Sequence, residues 1–337
     1  MKGPITTDML IIGAGPVGLF TVFEAGLLKI HCHLVDALAA PGGQLNEVYP
    51  KKPIYDIPGY PEIIAKDLTE NLLKQIAPFK PGFTLGERAE KLKKIDQGFR
   101  IITNKGTEFI APVVVIAAGL GSFEPRKPDL SNIDVYEDAG IDYMVRDPEK
   151  YRQKRVVIAG GGDSALDWAI YLAEVAAELT LVHRRGEFRG APESVDKAQE
   201  LAKSGKIKLV TYAEITALHG EETLSAVEIK EDQKDSWALP VDYFLPLFGL
   251  SPKLGPLGEW GLNINKNAIE VNTLDYSTNI PGIFAVGDIN TYPGKLKLIL
   301  CGFHEAAIMC QFAYKIIFPD KRPTFKYTTV AGVGGFE

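Results

Sequence analysis

Gly13, Gly15 and Gly18 stand between the apolar run Leu10-Ile11-Ile12 and a second apolar stretch, with Ala14, Pro16 and Val17 among them. This spacing does phosphate chemistry. The first glycine permits a tight turn, and the second lets backbone N–H groups approach a pyrophosphate. The third lets a helix pack closely on the strand before it. The helix N-terminus then favours the negative charge of the phosphates. The next apolar run, His33-Leu34-Val35, ends on Asp36, 23 residues after Gly13. A carboxylate at that distance accepts hydrogen bonds from a ribose with free hydroxyls, as in the adenosine half of FAD or NAD.

The pattern occurs twice. Val156-Val157-Ile158-Ala159 leads into Gly160-Gly161-Gly162-Asp163-Ser164-Ala165, and Thr180-Leu181-Val182 ends on His183, again 23 residues after the first glycine. Two copies at one internal spacing imply two dinucleotide-binding units in series. Here no carboxylate occupies the ribose position. His183 is followed by Arg184, Arg185 and Arg189, and guanidinium groups hold a phosphate by directed, charge-assisted hydrogen bonds. The second copy therefore suits a 2′-phosphate, and so NADP(H) over NAD(H).

Each motif needs a strand, a turn and a helix. Around them, Asp67 to Ile76 reads as a helix, and Lys91 to Ala118 as a meander broken at Asp96-Gln97-Gly98 and Asn104-Lys105-Gly106. Its last strand, Val113 to Ala118, is apolar on both faces and belongs in a sheet covered on both sides. A second meander is expected from Ile215 to Phe248. Pro281 to Asp288 reads as a short strand ending in Gly287-Asp288, and Gly302 to Ile316 as a helix. Gly119-Leu120-Gly121 and Gly249 mark hinges about which domains could rotate. The aromatic, glycine-rich tail from Thr324 to Glu337 is too apolar for a disordered segment and is expected to dock on the body or on another subunit.

A chain of 337 residues accommodates two domains, each with its own core. A net charge of −6 argues against a general nucleic-acid binder. No apolar run approaches the roughly 18 residues of a membrane span, so no membrane insertion is expected. The first strand begins too early to leave room for a signal peptide, and the three cysteines, Cys32, Cys301 and Cys310, form no CxxC. Both features suit a cytoplasmic, reducing environment. His31, His33, His183, His219 and His304 are scattered without metal-ligand spacing, so no metal is expected.

Taken together and in order, Gly13-x-Gly15-x-x-Gly18, Gly160 to Ala165, His183-Arg184-Arg185-x-x-x-Arg189 and Gly287-Asp288 resemble the two-domain pyridine nucleotide–disulfide oxidoreductases of the thioredoxin reductase type. The resemblance covers nearly the whole chain. It implies an α/β architecture of two Rossmann-like, three-layer ββα dinucleotide-binding domains. An NADP(H) domain, residues 122–249, would be inserted in an FAD domain made of residues 1–121 and 250–337. One departure is decisive. Thioredoxin reductases carry a redox CxxC just before the second glycine motif, whereas Tyr136 to Asp142 holds no cysteine. Electrons must then pass from flavin directly to an outside acceptor. Gly42-Gly43-Gln44-Leu45 with Tyr49-Pro50, the run Gly160 to Trp168, Lys295-Leu296-Lys297-Leu298-Ile299, and an extension containing Tyr327-Thr328-Thr329 resemble the thioredoxin reductase-like ferredoxin–NADP⁺ reductases.

That resemblance implies FAD contacts at Gly13, Gly15, Pro16, Gly18, Asp36, Gln44, Tyr49, Ala89, Phe123, Asp288 and Thr329. It implies NADP contacts at Gly160, Gly161, Gly162, Asp163, Ser164, His183, Arg184, Arg185 and Arg189. Tyr49 and Tyr327 would stack on the two flavin faces, with Phe325 or Phe336 as other candidates for the second. The C-terminal stacker would come from the partner of a homodimer and would have to move for nicotinamide to enter. Hydride would pass from NADPH to flavin, then single electrons to ferredoxin or flavodoxin. Lys51, Lys52, Lys295 and Lys297 are candidates for docking an acidic ferredoxin. Two other readings compete with this one: an NADPH-dependent diaphorase acting on flavodoxin, quinone or oxygen, and a non-catalytic NADPH sensor.

Overall fold

A computed structural model describes residues 3–321 and 332–336, with residues 122–124 and 250–252 described by backbone only. The chain forms two compact units. One comprises Met1–Ser122 and Pro252–Glu337, the other Phe123–Ser251. The chain crosses between them through Ser122–Pro125 and Leu250–Lys253, which pair as a two-stranded ribbon.

The discontinuous unit is built on a five-stranded parallel sheet in the order Ile283–Ala285, Val113–Ile116, Met9–Ile12, Cys32–Asp36, Gly82–Leu85. Its strands are apolar on both faces because both faces are covered. Met9, Ile11, Val113 and Val115 pack with residues of helices Pro16–Leu27, Ala65–Ile76 and Ile299–Ile317. Leu10, Ile12, Val114 and Ile116 pack with Phe99, Ile101 and Phe109 of an antiparallel sheet. Each such burial contributes roughly 1.5–3 kcal/mol. That second sheet holds Ala89–Ile95, Gly98–Thr103 and Glu108–Ala111, with Ile5–Thr6 added in parallel at its edge.

The inserted unit repeats this plan on a four-stranded parallel sheet, Lys208–Thr211, Glu178–His183, Arg155–Ala159, Tyr243–Pro246. Val156 and Ile158 face helix Asp163–Leu172. Val157 and Ala159 face the antiparallel sheet Ala213–Gly220, Leu224–Glu231, Trp237–Pro240. The expected second meander therefore stops short. Tyr243–Pro246 leaves it and pairs in parallel with Val156–Ala159, because Phe244 and Leu245 are buried on opposite faces of the sheet. Within the described residues, no helix is long and apolar enough to cross a membrane.

The end of the tail docks on the discontinuous unit. Phe336 stacks on His31 with ring centroids 4.1 Å apart, and its N–H donates to the Pro78 carbonyl. Lys29 Nζ donates to the carbonyls of Gly334 and Gly335 at 2.9 and 3.0 Å. His31 immediately precedes the strand whose other end is Asp36. Phe336 is thereby packed at the opposite end of that strand from Asp36.

Gly18 explains the motif's third glycine. A β-carbon there would lie 2.0 Å from the Gly13 carbonyl oxygen. Gly18→Ala is therefore expected to cost about 1–3 kcal/mol or more, since backbone cannot yield as a side chain can. Thermal unfolding checks this, and an unchanged midpoint would refute the close-packing role.

Candidate functional site

In the discontinuous unit, the loop after Asp36 folds back onto the first glycine turn. Gly42 N–H donates to the Ala14 carbonyl at 2.8 Å. A β-carbon on Gly15 would find only the Gly43 Cα, at 4.0 Å, leaving open backbone on both sides. Pro16 is the first residue of helix Pro16–Leu27, and its N-cap, Gly15, offers no side-chain acceptor to the helix's free N–H groups. Asp36 Oδ2 accepts from Ala14 N–H at 2.6 Å and Oδ1 from Leu38 N–H at 2.8 Å. These bonds fix the carboxylate beside the turn, and each oxygen retains a lone pair for a ligand hydroxyl. Burial raises its pKa despite both bonds.

Gln44 opens the short helix Gln44–Glu47, and its amide nitrogen would lie 3.5 Å from a β-carbon on Gly119. Tyr49 N–H donates to the Gln44 carbonyl. Burial, with the Asp288 and Asp56 carboxylates nearby, pushes the Tyr49 phenol up to about 12, so it stays protonated at neutral pH. Gly287 sits against Val17, the second residue of the long helix. Asp288 is thus brought to the same turn, its pKa raised by burial. Ala89 is buried at the start of its strand. Two buried acceptors, Asn46 Oδ1 and Asn290 Oδ1, lack a donor among the described residues. Of the other expected residues, Tyr327, Thr329 and Phe325 lie outside the described residues, and Phe123 is described by backbone only.

The inserted unit contains a cavity of about 800 Å³ lined by Gly160 to Ser164, His183, Arg184, Arg185 and Arg189. That volume is in the range of cofactor sites. Gly162 caps helix Asp163–Leu172 without a side-chain bond, leaving first-turn N–H groups open to an anion. Asp163 also lines the cavity, and its Oδ1 accepts from Ala191 N–H at 2.7 Å. Arg189 N–H donates to the Gly161 carbonyl at 2.7 Å. Both bonds tether the arginine loop beside the glycine turn. The three guanidinium groups and Ser164 are solvent-facing.

His183 takes a structural place. Its ring lies over Gly161, where a β-carbon would be 2.1 Å away, and stacks on Phe188 at 4.9 Å. Nε2 lies 3.1 Å from the Glu187 carbonyl. The ring thus supports the turn and the arginine loop from beneath. Arg126, which belongs to neither the glycine motif nor the arginine loop, also lines the cavity. Its only signal was the Arg126-Lys127 pair after Pro125.

Lys295 is not a docking lysine. Its side chain is only 5% exposed and pairs with the fully buried Glu305. Lys51 and Lys297 are exposed, and Lys52 lies over the Tyr49 ring. Cys32 and Cys310 are buried thiols raised well above their ordinary value by burial.

Burial depresses the His183 pKa, the bond to Glu187 opposes this, and the three arginines add to the depression. The unfolded chain then binds a proton that the folded one refuses, so stability falls as pH drops below about 6.5. Between about pH 7.5 and 5.5 the thermal midpoint of the wild type should fall further than that of His183→Asn; equal falls would overturn the reading.

Residues 7–306 match the family of pyridine nucleotide-disulphide oxidoreductases. A ferredoxin–NADP reductase of Flavobacterium johnsoniae is 65% identical over 335 residues, covering 99% of this chain and 95% of that protein. A ferredoxin–NADP reductase of a Bradyrhizobium species is 52% identical over 331 residues, covering 98% and 96%. Among solved structures, thioredoxin reductase from Lactococcus lactis superposes with a TM-score of 0.80 at 25% identity, covering 93% of this chain and 99% of that one. That of T. acidophilum gives 0.79 at 22% identity, covering 92% and 98%. With a glycine turn opening a helix in each unit and this match along nearly its whole length, the chain belongs to the pyridine nucleotide-disulphide oxidoreductase family.

Proposed function

We propose that the protein is a flavoprotein that transfers electrons between NADP(H) and ferredoxin. The discontinuous unit would hold FAD and the inserted unit NADP(H). The observation that carries this reading is the contrast at the ends of two matching strands. Asp36 offers a carboxylate to ribose hydroxyls, while Arg184, Arg185 and Arg189 surround the equivalent opening with positive charge. The 52–65% identical relatives named ferredoxin–NADP reductase support the assignment of the acceptor.

When bound, FAD supplies the two-electron to one-electron conversion. The chain's own groups bind and orient. The N–H groups of Gly15, Val17 and Gly18 would receive the pyrophosphate, with Gly13 and Pro16 shaping the turn, while Asp36 would hold the adenosine ribose and Asp288 the ribityl chain. Gln44 and Tyr49 border the isoalloxazine, and Tyr49, a neutral phenol, can stack without adding charge. Ala89 and Phe123 complete the contacts, with Thr329. In the inserted unit, Gly161, Gly162 and Ser164 would present backbone and hydroxyl donors to the NADP pyrophosphate, with Gly160, its N–H bonded to the Val182 carbonyl, forming the turn. Asp163 and His183 hold the arginine loop in place.

No cysteine pair stands in Tyr136 to Asp142, and the buried thiols of Cys32 and Cys310 are inert. Electrons therefore leave without a protein dithiol. Lys51, Lys52 and Lys297 are the cations proposed to meet an acidic ferredoxin, and a homodimer would let Tyr327 cover the flavin of the partner. The chief alternative is a diaphorase acting on flavodoxin, quinone or oxygen.

Anaerobic mixing tests the reading. NADPH should bleach the flavin, and oxidised ferredoxin should restore it while becoming reduced. Flavin that stays reduced on adding ferredoxin would redirect the search to the alternative acceptors. Loss of a charge-assisted phosphate contact costs about 1.5–3 kcal/mol, so Arg184→Ala or Arg185→Ala should raise the KM for NADPH tenfold or more. The KM for NADH should barely move, and parallel losses for both nucleotides would refute the 2′-phosphate role. Gly162→Ala has free space around its β-carbon. It should fold normally yet raise the KM for NADPH about tenfold by blocking backbone approach. An unchanged KM would remove Gly162 from the site.

A further inference from the structure

We propose that Glu305 is a positioning residue for Asp288: by engaging Lys295 and fixing Gly287, it leaves the Asp288 carboxylate available to the flavin's ribityl hydroxyls. This rests on the FAD reading above.

Glu305 lies on helix Ile299–Ile317, the long helix of the discontinuous unit, and is fully buried. Its Oε2 accepts from Gly287 N–H at 2.7 Å and from Asn290 Nδ2 at 2.8 Å. Its Oε1 accepts from Tyr292 Oη at 2.9 Å and from Lys295 Nζ. All four donors come from one short segment, Gly287 to Lys295, which directly follows strand Ile283–Ala285. A buried carboxylate is expensive, and an apolar side chain would stabilise a helix–loop contact at least as well. Here the charge is spent entirely on shaping the turn that carries Asp288.

Lys295 makes the arrangement specific. Its ammonium is buried, with 5% of the side chain exposed, so it must have an anionic partner. Two carboxylates feel its charge, Glu305 and Asp288. As long as Glu305 holds it, with the Tyr292 ring centroid 5.3 Å from its nitrogen, Lys295 together with Lys297 only favours the ionised form of Asp288. Without Glu305 the other carboxylate that feels its charge is the half-buried Asp288, in the same Gly287–Lys295 segment, and a direct pair would occupy the oxygens that a polyol needs. Gly287 is the other half of the device. Its φ of +80° and its contact with Val17 set the direction in which Asp288 leaves the strand. The Glu305 carboxylate pins that peptide's N–H.

Two variants of the full-length chain, stripped of flavin and titrated with FAD, test the proposal. Quenching of flavin fluorescence gives the Kd, and melting of the apoprotein gives its stability. Glu305→Gln should weaken FAD binding about tenfold or more, because it frees Lys295 to capture Asp288. Adding Lys295→Met should restore the Kd to within about threefold of the wild type, since the competing cation is gone. A purely structural role would make the double variant as weak as the single one or weaker, and that outcome overturns the proposal. So does a single variant that binds FAD like the wild type. Should Glu305→Gln fail to fold, the double variant decides alone: binding within threefold supports the proposal, and a tenfold loss overturns it. A wild-type chain that takes up no FAD would refute the flavin reading itself, and that is seen before any variant is made.

Discussion

One close approach sets the geometry of the discontinuous unit. The Gly18 Cα sits so near the Gly13 carbonyl that no side chain could intervene. This contact starts helix Pro16–Leu27 directly beneath the end of strand Met9–Ile12. The helix N–H groups, the Asp36 carboxylate and the Gly42–Gly43 loop then share one corner. In the inserted unit the same constraint is met differently. A β-carbon on Gly160 would strike the Ala165 side chain and the Leu247 carbonyl, both at 2.7 Å. Glycine on the strand side makes room for alanine on the helix.

With the corner fixed, the two units differ by what stands at the end of the neighbouring strand. In one it is a carboxylate, locked by two backbone donors and pushed toward its neutral form by burial. In the other it is an imidazole, packed beneath a loop that carries three guanidinium groups. The scaffold is held constant, and the sign of the local field changes.

Both glycine turns, the helices after them and the doubly covered strand Val113–Ile116 were legible in the chain, because close backbone approach and two-faced burial leave strong local signatures. What escaped depends on contacts distant in sequence. Glu305 is the one acid in helix Ile299–Ile317, and nothing in its own helix shows that it is buried; its donors lie in a segment before the helix begins. The burial of Lys295 is hidden for the same reason, since lysine is buried only when a partner holds it. Tyr243–Pro246 read as one more meander strand because alternation cannot reveal which sheet a strand joins. His183 was placed correctly at its strand end, but the sequence could not show its ring beneath Gly161.

Strand Val113–Ile116 also bears on the order of synthesis. Its four side chains are wholly buried, yet one neighbour, Ile283–Ala285, is made only after the inserted unit. The N-terminal part of the sheet therefore leaves the ribosome with an apolar edge exposed. The inserted unit has its ends joined, with Arg126 N–H bonded to the Gly249 carbonyl, and can close first. The waiting edge is then sealed by the same segment that brings Gly287, Asp288 and the donors to Glu305. Completion of the sheet and completion of the Asp288 turn become one event late in translation, and a chain truncated before Ile283 would present a sticky strand rather than a smaller working protein.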